Sequence, residues 1–178
     1  MKTEEKIRAE IAARETLAAR IIARIEDAFA GVVLGNGVSL HETWGLDDYE
    51  DEAAFAADCA NDEKVDWRKI GPESIYKICP SFLDSEGMRF YLPATLRTDL
   101  QVRHQYSISM FYCLTHLDER GRSLFSVLNA PQRQAVRTYL QFLRDDPYCE
   151  HLKADIDRAL TDFWTATEAY SNPAEREG

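Results

Sequence analysis

Residues able to do chemistry are present in this chain, but their spacing commits to no reaction. The four cysteines, Cys59, Cys79, Cys113 and Cys149, stand 20, 34 and 36 residues apart, which matches no zinc or redox motif. Each sits among apolar or aromatic neighbours, so all four read as buried thiols acting as small hydrophobes. A nucleophilic hydrolase would show a serine on a Gly-x-Ser-x-Gly turn with a histidine base. No such turn occurs, and His41, His104, His116 and His151 define no triad. His116 with Asp118 and Glu119 is the one compact His-plus-carboxylate cluster; it reads as a turn histidine beside solvated acids in preference to a ligand set. Gly35 and Gly37 lead into no Lys-Ser or Lys-Thr pair and form no phosphate loop. Neither a metal nor a cofactor is expected.

The charge is the stronger signal. Of a net charge of -10, the segment Glu42 to Asp66 holds ten acids against one base, Lys64, a net of -9. Such a segment repels nucleic acid and anionic lipid, and would steer a basic protein or hold a hard cation. Asp47, Asp58, Asp62, Glu63 and Asp66 within it, together with Arg89 and Tyr91 further on, are the candidate binding residues. Asp58 and Asp62 would repel one turn apart on a continuing helix. The simpler reading ends that helix at Asn61 and lets Asp66 cap a turn in front of Trp67, a core residue whose indole N–H needs one acceptor.

These residues must be positioned by a mainly α fold. A chain of 178 residues fits one domain and buries about 70% of its unfolded surface. The pattern predicts a long helix from Thr3 to Phe29, with Thr3 as N-cap and Gly31 past its end. Its seam, Ile7, Ile11, Arg14, Ala18, Ile21, Ile25 and Ala28, is broken by Arg14. The C-terminal half should therefore lie on the core while the N-terminal half projects or pairs, in one version with a second copy of the chain.

Short helices are predicted at the Ser39/Glu42 capping box, at Asp51 to Cys59 and after Gly71-Pro72-Glu73. Asp84 and Gly87 read as the ends of a type I turn. Met88, Phe90 and Leu92 then alternate with Arg89 and Tyr91 as a strand with Tyr91 outward, followed by a helix from Pro93 to about Leu100. Tyr106 to Leu114 alternates too, while Ile108, Phe111 and Tyr112 also satisfy a helical face; the strand reading is preferred, able to pair with 88–92, so that the fold holds at most one small strand pair. Asn129 and Gln132 open a helix to Arg144, and a tail helix after Pro147, with Leu152, Ile156, Leu160, Phe163, Trp164 and Tyr170 as its stripe, should run antiparallel to it.

The stretches Asp62-Glu63-Lys64-Val65-Asp66-Trp67, Phe82-Leu83-Asp84, Gly87 and Phe90-Tyr91-Leu92-Pro93-Ala94 carry a resemblance. The chain is similar to a family of uncharacterised bacterial proteins, a domain of unknown function, from about Ile25 to the helical region at Phe125–Leu143. The resemblance implies no activity, cofactor or catalytic residue.

The expected protein is cytoplasmic, because Met1 to Arg8 is charged and the apolar runs fall short of the roughly 20 residues a membrane span needs. Its expected role is a non-catalytic protein-interaction module with an acidic surface, in one version an immunity-type protein that neutralises a basic toxin. A metal-assisted enzyme using acids of 58–66 is the competing class. No basic run is interleaved with aromatic residues, so no nucleic-acid partner is expected. A low-salt titration with DNA and RNA should give no saturable binding, and tight, salt-sensitive association would refute the charge argument.

Overall fold

A computed structural model of the chain describes residues 2–45, 51–102 and 106–165. Eight helices follow in order: α1 (Lys2–Ala28), α2 (Glu52–Asn61), α3 (Pro72–Ile75), α4 (Ser85–Gln101), α5 (Ile108–Thr115), α6 (Glu119–Leu124), α7 (Ala130–Arg144) and α8 (Lys153–Ala159). Among the described residues there is no strand. This single-domain, mainly α fold is the class the sequence pattern predicts, but without the small strand pair.

The α1 helix behaves as its broken seam implies. Ala18, Ile21 and Ile25 are buried, with Phe29 just beyond them, against α4 and α7, whereas Ile7 is half exposed and Ile11 partly so. Thr3 lies inside the helix and does not cap it. Gly31, at φ +73, makes the left-handed exit that a side chain would resist.

Both predicted strands are helices. Residues 88–92 belong to α4, whose twelve buried residues include Met88, Phe90, Tyr91, Leu92 and Leu96. A helix apolar on most sides mimics alternation, because Tyr91 between the alternating residues is buried as well and Arg89 partly so. Tyr91 therefore points inward, and its hydroxyl accepts the Leu40 N–H at 2.9 Å. Pro93 sits inside this helix and does not start it. The interior proline costs about 3 kcal/mol, which burial of several large apolar side chains at about 1.5–3 kcal/mol each can offset.

Asp84 is the true start signal. It is the N-cap of α4, accepting Gly87 N–H at 2.8 Å, and the same oxygen accepts Val38 N–H at 3.0 Å. In 106–114, the Ser107 side chain caps α5 and the helical face wins: Met110, Phe111 and Leu114 turn inward while Ile108 and Tyr112 are exposed.

The C-terminal pair is antiparallel. At one end Arg133 donates to Phe163 O at 2.9 Å, and at the other Arg144 pairs with Asp157. The expected capping box of Asn129 and Gln132 is complete. Trp164, in a π turn at Leu160–Trp164, donates its indole N–H to Leu114 O at 2.9 Å; Tyr170 lies outside the described residues. Cys113 and Cys149 are buried as expected, but Cys59 is only partly buried and Cys79 is exposed; all four are free thiols.

Gly87 has no positive φ, so a turn conformation is not what requires glycine there. Close approach is the reason: a Cβ at Gly87 would stand 2.7 Å from Val38 O. Gly87→Val should lower stability by about 2–3 kcal/mol, and Ser85→Ala by about 0.5 kcal/mol or less. Tyr91→Phe should cost about 1–3 kcal/mol by leaving a buried N–H unsatisfied. Denaturant midpoints of the three variants check all of this.

Candidate functional site

The acidic segment occupies the turn at 39–45, α2, and the loop from Asp62 to the short 3-10 turn at Trp67–Lys69. Its carboxylates build this surface by accepting backbone amides. Glu42 accepts Ser39 N–H at 2.6 Å, Asp51 caps α2 through Ala54 N–H at 2.7 Å, and Glu63 Oε1 accepts both Val65 and Asp66 N–H at 2.9 Å. Asp66 accepts Arg68 N–H at 3.1 Å in front of Trp67, whose indole donates to Phe29 O at 3.0 Å. Both expectations for that pair hold. The Ser39/Glu42 capping box is half formed, because Ser39 Oγ is buried and makes no hydrogen bond.

Asp62 leaves α2 as its C-cap and is nearly buried. One of its oxygens accepts His41 N–H at 3.0 Å, and the other lies 2.7 Å from His41 Nδ1. A carboxylate offers only acceptors, so Nδ1 carries the proton. His41 thereby closes the 39–45 turn onto the end of α2.

Most of these bonds come from neutral N–H groups, and among the described residues Arg68 stands 3.4 Å from Asp66. The two amides that bond Glu63 hold its carboxyl below the usual range. Burial, then Glu42 and Asp62, push the Cys59 thiol up and keep it protonated. Glu52 and Asp58 stand exposed on α2, which buries none of its residues in the chain.

The other candidate residues fall elsewhere. Among the described residues Arg89 pairs with Glu86 on its own helix, and Tyr91 is core. Asp47 lies outside the described residues. Asp118 caps α6 through Gly121 N–H at 2.7 Å, and His116 stacks on Tyr112 with ring centroids 3.8 Å apart. Among the described residues, no group of three or more His, Cys, Asp or Glu side chains is placed to hold a metal ion.

Sequence reasoning missed Asp99. It is buried in α4, where its oxygens accept Ser107 N–H at 3.0 Å and the Tyr139 hydroxyl at 2.7 Å. Burial pushes its carboxyl up to about 6 against those hydrogen bonds. An acid at the apolar-periodic end of a helix was the available signal.

Residues 17–168 match the family of unknown function DUF6714, so the chain belongs to that family. The match is wider than the motif resemblance and begins inside α1, leaving residues 2–16 outside it. No curated protein and no solved structure matches the chain. No described helix is long and apolar enough to cross a membrane.

Asp99 makes stability depend on pH. Its folded value, about 6, lies above the ordinary value of about 3.9 expected when unfolded. Its stabilising contribution is therefore complete below about pH 4 and lost as pH rises through about 6, on the order of 3 kcal/mol in all. Asp99→Asn, which cannot titrate, should flatten that part of the stability profile between pH 4 and 7, measured by denaturant unfolding. Parallel profiles would place the titration on another group.

Proposed function

We propose that the protein is a non-catalytic interaction module whose acidic face at 42–66 takes a basic protein partner. One observation carries this reading. Glu42, Asp51, Asp62, Glu63 and Asp66 are fixed in place by backbone amides, and these neutral donors leave the carboxylates' charge uncancelled, so this part of the surface is ordered before a partner arrives. An ordered field of one sign raises association rates and rejects acidic competitors.

The α2 helix supports the same reading. At ten residues it is below the roughly 12–15 at which isolated helices become stable in water. It is held at its ends by the Asp51 cap and by Asp62, with its sides open to a partner. In its sharpest form the partner is a basic toxin, and the module an immunity-type protein. The metal-assisted reading loses ground because Asp62, Glu63 and Asp66 commit oxygens to amides.

A lysine-rich peptide and its glutamate counterpart, titrated at low salt and followed by amide NMR, test the proposal. The basic peptide should give saturable shifts concentrated in 52–66, and the acidic one none. Reversing two exposed charges, Glu52→Lys with Asp58→Lys, should weaken binding about tenfold. Shifts spread evenly over the protein, or binding indifferent to the double variant, would overturn it.

A further inference from the structure

A groove of about 520 Å³ opens between the projecting half of α1, the C-terminal ends of α4 and α7, and the turn at 146–149. That volume lies within the range of small-molecule sites, about 300–1,000 Å³. Ile7, Ile11, Leu100, Val102, Phe142 and Leu143 give it apolar walls. Among the described residues its charged lining is Glu10, Glu15, Asp99 and Asp146 with one base, Arg14, and Glu10 pairs with Lys6 at 3.8 Å.

Arg14 is already engaged. Its guanidinium lies 2.5 Å from Asp146, donates to Phe142 O at 3.3 Å and sits 3.9 Å over the Phe142 ring. What remains is an apolar space with Asp99 in its wall. Asp99 is only 6% exposed, and the donors that bond it, the Ser107 amide and the Tyr139 hydroxyl, are both neutral. Among the described residues no ion pair to Asp99 is formed.

We propose that this groove binds a small organic cation, an ammonium group on an apolar body, with the ammonium against Asp99 and the body along Ile7, Ile11 and Phe142. A buried carboxylate satisfied only by neutral donors gains most from a cation desolvated together with it, through a charge-assisted hydrogen bond. An anion would meet the Asp99 carboxylate, and a neutral apolar molecule would bury its body but leave Asp99 uncompensated. The carboxyl, although raised by burial to about 6, is ionised at neutral pH and able to take this role. Two further titratable groups of the groove stay neutral: burial, then Asp146, push the Cys149 thiol up, and burial does the same to the Tyr106 hydroxyl. This site is built on different elements from the acidic face, and its proposal does not depend on that one.

The test uses 4-phenylbutylamine and its neutral isostere 4-phenylbutan-1-ol, titrated into the full chain by methyl NMR and calorimetry. The amine should saturate, shift the methyl groups of Ile7, Ile11 and Val102, and bind at least about tenfold more tightly than the alcohol. Asp99→Asn should bring the amine down to the alcohol's affinity while alcohol binding is retained, which also shows the groove intact. Ile7→Lys, at a half-exposed position remote from the core, should weaken the amine more than the alcohol, and serves if Asp99→Asn fails to fold. The Glu52→Lys, Asp58→Lys protein should bind the amine unchanged, so the two proposals fail separately. Absence of saturable binding, equal affinity for amine and alcohol, or an amine preference that survives Asp99→Asn would overturn the proposal.

Discussion

Because α4 is buried on nearly every side, polar groups along it are satisfied by partners on neighbouring elements. Those partners organise the rest of the molecule. At its start, Asp84 holds Val38 N–H and so fixes the loop leading into the acidic segment. About two turns further in, Tyr91 receives Leu40 N–H. Arg97 then donates to Arg68 O at 2.8 Å, beside the core indole of Trp67. At the end, Asp99 ties Ser107 and Tyr139 together. Four side chains on one helix thus set the position of a loop, a 3-10 turn, the cap of α5 and the face of α7.

This arrangement explains what was legible in the sequence. Caps and breaks followed local rules, and Gly31, Asp66, Asn129 and Gln132 act where their types and spacing place them. The exposed and buried halves of α1 could be read from a seam interrupted by Arg14, because a surface helix shows its environment in its periodicity. A central helix hides it. In 88–92 nearly every residue is core, so no period of 3.6 survives to compete with apparent alternation, and Pro93 reinforced the wrong boundary. The groove was not legible at all: Ile7, Arg14, Asp99, Phe142 and Asp146 meet only through tertiary packing, and no local spacing links them.

Neutral donors recur wherever this protein places a carboxylate with purpose. At 42–66 they order exposed charges without cancelling them; at Asp99 they make a buried charge tolerable without supplying a counter-ion. The first arrangement projects a field into solvent, where it is screened over about 10 Å at moderate salt. The second confines one to a low-dielectric space, where it acts at short range and is sensitive to the geometry of whatever enters. A long-range and a short-range device are thereby built from the same kind of hydrogen bond.

The contact between Arg14 and Phe142 spans 128 positions in the chain. On a ribosome adding 5–20 residues per second, α1 would wait roughly 6–25 s before the surface it docks on has been made. During that interval Ile21, Ile25 and Phe29, all core in the finished protein, have no lasting cover from α7. The same closure carries a large chain-entropy term. Docking of α1 on α7 thus waits for the end of synthesis, and until then α4 is the partner available to the apolar face of the first helix.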